Sequence, residues 1–167
     1  MNWLGRLSVC LVLSAAALSL YAGPFQPAKR SAPAEIRCLA GIKKINVRVG
    51  SVPADLKQFM DDNLLDALTR SRLTSAGFEV VDDAEAPELV FNFKTLTDPA
   101  WPDLMGVVLL LDVEQKVEVL RLGEKMRLPT TTVVSRALAN RETIRDVIAQ
   151  RALNATSQFI NLCKQLE

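Results

Sequence analysis

The chain has 167 residues, enough for one domain and marginal for two, with 49% hydrophobic residues and a formal net charge of +1. It contains no histidine, which removes Ser-His and Cys-His nucleophile pairs, histidine general bases and the commonest metal ligand together. The near-neutral charge gives no electrostatic reason to seek nucleic acid.

The first element is a leader. Arg6 and the terminal amine precede an uncharged stretch from Leu7 to Tyr21, and Ala22 with Gly23-Pro24 ends it. A basic n-region, an apolar h-region and a small residue at the cut predict that residues 1–22 are a signal peptide, delivering the remainder to the periplasm or beyond. The alternative is an uncleaved anchor over residues 7–22, although the run falls short of the ~20 apolar residues that span a bilayer. Membrane contact is expected only in that case. Cleavage removes Arg6 from the 20 Lys and Arg, leaving 19 against 19 Asp and Glu. Cys10 is not a lipidation site, because Val9 stands in the small-residue position before it and most of the apolar run follows it.

Residues 23–37 hold Pro24, Pro27 and Pro33 without periodicity and are expected to be a tether. Residues 38–167 are expected to form a single domain. Ile45, Val47 and Val49 alternate with Lys44, Asn46 and Arg48, which predicts a half-buried strand. Pro53 opens a helix whose apolar stripe is Leu56, Phe59, Met60, Leu64 and Leu68, and Gly77 stops it. Phe78–Val81 is a short second strand. Leu89, Phe91 and Phe93 mark a third, followed by a loop from Thr97 to Gly106. Leu109, Leu111, Val113, Val117 and Val119 share one parity of a long fourth strand. Gln115 breaks that parity and predicts a bulge or an exposed stretch nearby. Gly123-Glu124 turns the chain into a return strand, Thr130–Ser135, which Pro129 confines to an edge or delays. Asn140 is expected to cap a long C-terminal helix with the stripe Ile144, Ile148, Ala152, Ala155, Phe159 and Leu162.

The order β-α-β-β-β-β-α predicts an α+β two-layer sandwich, with two helices on one face of a mostly antiparallel four- or five-stranded sheet. The other face, carrying Lys44, Asn46, Arg48, Asn92, Lys94, Asp112, Glu114, Lys116 and Glu118, is expected to be wet. Four stretches carry a resemblance: the opening strand Lys43–Val49, the helix ending in Ser75-Ala76-Gly77-Phe78-Glu79-Val80, the hairpin Leu109–Ser135 and the closing helix to Leu166. The pattern resembles a class of small bacterial envelope domains that includes LptE of lipopolysaccharide assembly and the N-terminal domain of TolB. LptE is lipidated and this chain lacks the signal for it, so outer-membrane attachment is not implied; a likeness of pattern alone carries over no functional residue.

Cys38 and Cys163 are the thiols that remain after cleavage. In an oxidising compartment they are a candidate disulfide, worth roughly 4–5 kcal/mol of loop entropy before strain; the alternative is two small buried apolar side chains. Ser71, Ser75 and Lys57 share a helix, but its apolar neighbours explain that helix fully. Asp61-Asp62 diverge on a helix, and Asp112, Glu114 and Lys116 fit an exposed strand face of alternating charge. Asp82, Asp83 and Glu85 lack the glycine and spacing of a calcium loop. No cofactor or metal is expected.

Trp101, held in a loop between Pro99 and Pro102, is either an anchor for a partner or a plug at one end of the sheet. With Leu104 and Met105 it forms the expected contact site. The expected function is a non-enzymatic envelope domain that binds another envelope component, protein or lipid. The alternative is an apolar-ligand carrier using space near Met60, Phe93, Trp101 and Phe159.

Overall fold

Alternation places one face of each long strand in the core, and two helices cover that face. The computed structural model describes residues 32–166; the leader, its alternative anchor and most of the tether lie outside them. The compact unit begins at Ala34. Its elements are α1 (Ala34–Arg37), β1 (Lys44–Val49), α2 (Ala54–Lys57), α3 (Asp62–Ser75), β2 (Glu79–Val80), β3 (Glu88–Thr97), β4 (Leu104–Val119), β5 (Glu124–Asn140) and α4 (Ile144–Lys164).

The sheet has the order β2-β1-β3-β4-β5. β1 runs parallel to both β2 and β3, while β3–β4 and β4–β5 are antiparallel. By length the sheet is mostly antiparallel, and the two-layer α+β sandwich is the one expected. Odd-numbered residues of β4 from Met105 to Val113 are buried with Leu89, Phe91 and Phe93 of β3 against α4. Phe159 of α4 is fully buried there, its ring centroid 5.6 Å from that of Phe78.

Four details differ from the expectation, each for a local reason. The first helix is two helices, because Asp61 caps a new start by accepting from Leu64 N–H at 3.0 Å. Pro53 is the cap residue of α2 and not its first helical residue. The bulge expected near Gln115 is present, at Val113/Glu114, where Thr130 of β5 is skipped. Gln115 holds it: its carbonyl oxygen accepts from the Thr130 hydroxyl at 2.9 Å, and its amide donates to Cys38 O at 3.1 Å. Asn140 ends β5 and accepts from Thr143 N–H at 2.9 Å, so its bond closes the turn before α4. α1 falls in the expected tether, yet Thr131 Oγ1 donates to Glu35 O and ties it to β5.

Arg70 joins α3 to the following connection, donating to Asp66 at 2.7 Å and Asp82 at 3.0 Å. Partial burial works against its charge, but the two carboxylates more than offset this and its pKa is raised. β3 stops pairing at Glu88↔Glu114, whereas β4 and β5 pair out to Val119↔Glu124. Residues 115–128 therefore project as a two-stranded ribbon.

Candidate interaction surface

The helix-free face of the sheet is built from the opposite parity. Register places it in rows: Leu96–Gly106–Leu138, then Lys94–Val108–Arg136, then Asn92–Leu110–Val134, then Val90–Asp112–Thr132. This face is not uniformly wet, as its charged residues suggested. A hydrogen-bonded line crosses it and divides it. Ser51 N–H donates to Asn92 Oδ1 at 2.9 Å, Asn92 Nδ2 to Asp112 Oδ2 at 2.9 Å, and Thr132 Oγ1 to Asp112 Oδ1 at 2.6 Å.

On one side of that line the face is ionic. Glu88 and Glu114 stand directly opposite each other on β3 and β4, an arrangement that destabilises unless a cation lies between. Arg48 supplies it, at 3.1 Å from Glu88 and 3.6 Å from Glu114. Arg127 lies 4.0 Å from Glu88 and donates to Ala84 O and Ala86 O. Lys116 pairs with Glu85. Glu85, Glu88, Glu114 and Asp112 are each held by a neighbour.

On the other side the face is apolar and uncovered. Leu96 is 68% exposed, Leu138 69% and Trp101 63%, large values for side chains of that kind. Trp101 does not plug the sheet end. With Leu96, Thr97, Asp98, Leu104, Gly106 and Leu138 it lines an open depression of about 480 Å³. Gly106 is its floor, since a Cβ there would stand 3.3 Å from that of Leu96. Of the three residues expected to form the contact site, Trp101 and Leu104 are in it. Met105 is the next residue of β4, points to the other face and is buried in the core.

The residues expected to line a ligand space do not converge. Phe93 and Phe159 are core side chains, Met60 is half-buried beside the α2–α3 break, and Trp101 is on the open face. Two crevices on the helix side, one beside Phe93 and Ile148 and one beside Met60 and Ile148, hold only about 10 and 20 Å³. That is room for one water, not an acyl chain. A larger cleft of about 900 Å³ opens where α2 breaks from α3; its Asp61 and Arg145 are paired at 3.4 Å. Ser75 donates to Ser71 O at 2.8 Å, and Lys57, expected on the same helix as the two serines, is on α2 while they are on α3. Among the described residues no group of three or more His, Cys, Asp or Glu is placed to hold a metal. No helix among them is long and apolar enough to cross a membrane.

No family model and no curated protein matches the chain. Solved structures do. A minor lipoprotein from Acinetobacter baumannii is 17% identical over 73% of this chain and 90% of that one, with a TM-score of 0.41. Rare lipoprotein B from Shewanella oneidensis is 12% identical over 71% and 91%, with a TM-score of 0.41. An uncharacterized lipoprotein B from Nitrosomonas europaea is 12% identical over 73% and 83%, with a TM-score of 0.31. These neighbours are bacterial lipoproteins; at such identities and scores the likeness carries no argument about what this chain does.

Proposed function

We infer that this is an exported, non-enzymatic domain of the bacterial envelope that works by docking a protein through the apolar half of its open sheet face. The observation that supports the reading is that half-face itself. A monomer that needed no partner would lose nothing by making Leu96, Trp101 and Leu138 polar, and a rigid aromatic beside a depression is what binding anchors look like. The leader supplies the compartment. The ionic half-face, its groups mutually paired, is the wall that limits the footprint.

A photo-cross-linking side chain placed at Leu138 in cells is expected to trap a discrete adduct in the envelope fraction. The same group at exposed Asn154 on α4 is expected to trap none. Equal labelling at the two positions, or no adduct at either, would overturn the reading.

A further inference from the structure

The outer strand of the apolar half-face carries a short charge pattern of its own. Lys94, Leu96 and Asp98 alternate along β3 and just past its end, with Asp98 on the wall of the Trp101 depression. Four residues of extended chain separate Lys94 from Asp98 by about 13 Å, so they do not meet within one molecule. Among the described residues the Lys94 side chain makes no ion pair or hydrogen bond. The Asp98 carboxylate accepts from Ala100 N–H, at 2.9 Å, and has no cation beside it among the described residues. A positive, an apolar and a negative group in equal steps along one strand face are complementary to the same three groups read backwards.

We propose that the occupant of this surface is a second copy of the chain, packed face to face about a two-fold axis lying over the row Leu96–Gly106–Leu138. The proposal rests on the docking reading above and names its partner. Such an axis reverses strand direction and keeps each column of the sheet over itself. Lys94 then faces Asp98 of the second copy, Asp98 faces its Lys94, and Leu96 meets Leu96. An isologous contact requires this reciprocity. Leu104 lies over Val108, apolar on apolar, and Arg136 over Asn140, a cation over a carbonyl. The two Gly106 residues face each other, and the depressions above them are where the Trp101 loops settle. Sheets packed this way stand about 10 Å apart, with strands within roughly 30° of each other.

Size sets the strength. Three strands and the rows from Leu104 to Leu110 make a footprint of about 14 by 20 Å before the Trp101 loop is added. That is well under the roughly 800 Å² per partner of a standard interface. The contact is therefore a weak, exchanging dimer.

The test is sedimentation of the full chain across micromolar to millimolar concentration, followed by charge exchange. Wild type is expected to pass from monomer to dimer. Lys94→Asp and Asp98→Lys, each alone, set like charges against each other and are expected to weaken dimerisation at least about tenfold. An equal mixture of the two single variants is expected to recover it, as a heterodimer. Asp98→Asn, which keeps an acceptor for Ala100 N–H, separates loss of charge from loss of the turn and is expected to weaken the dimer less. A wild type that stays monomeric, or a mixture no tighter than its components, would overturn the proposal. The cross-linking result at Leu138 is independent: an adduct of a mass other than the dimer's, from a monomeric wild type, leaves the docking reading standing and this inference failed.

Discussion

Gly50 is where a single hydrogen atom is the largest side chain that fits. A Cβ built there would lie 2.4 Å from Asn92 Oδ1 and 2.8 Å from Val90 Cγ1. Neither neighbour is free to yield. Val90 is buried, and Asn92 is held by Ser51 N–H on one side and Asp112 on the other. Gly50→Ala is expected to cost about 1–3 kcal/mol, read as a lower denaturant midpoint, because the added methyl breaks the line that separates the two half-faces. An unchanged midpoint would show that Asn92 moves aside without loss. The open face thus depends on a residue that adds no side chain to it.

At the scale of elements, Asp61 decides that residues 54–75 are two helices. Its carboxylate satisfies Leu64 N–H and also lies 3.4 Å from Arg145 on α4. Asp61→Ala is expected to destabilise by about 1 kcal/mol, and amide exchange in the first turn of α3 should rise more than in its last turn. Uniform acceleration along the helix would contradict the cap. The break was illegible in sequence because Leu56, Met60, Leu64 and Leu68 keep helical spacing straight through it. The strands were legible where one face is buried and the other charged. They were read too narrowly where both faces are apolar. Val108 and Leu110 interleave with Leu109 and Leu111, which is the signature of a strand with a second dry surface. Arg136 and Leu138 extend the return strand beyond Ser135. Both signals were present; what hid the surface was register, since nothing local shows that Leu96, Gly106 and Leu138 fall in one row.

At the scale of the whole molecule, Cys38 and Cys163 both lie toward the Thr131 end of the layer that β5 and α4 form. α4 runs back along β5, and its rise of about 29 Å from Ile144 to Cys163 matches the roughly 27 Å of strand from Ala139 to Thr131. Cys38 is at that same strand position, its Sγ 3.4 Å from Thr131 Oγ1. No disulfide joins the two cysteines in the structure. In an oxidising compartment they are expected to give up two hydrogens to a disulfide donor. Protein recovered from the envelope should begin at Gly23 and gain the mass of two hydrogens on reduction. A chain with leader attached and both thiols reduced would mean that it is not exported as proposed. The parallel placement of β1 between β2 and β3 was likewise beyond sequence reading, because a short strand after a helix can join either edge of a sheet.

Beyond Lys116 and Arg127, which tie its base to the body, the outer ribbon of residues 117–126 pairs with neither the third strand nor the hydrogen-bonded line. Its length is therefore a free variable of the design. Descendants of this chain can add or delete one residue pair at a time around Gly123, keep every side chain on its original face, and lengthen or shorten the arm without repacking the interior. Reach, unlike the two half-faces, is open to evolutionary drift.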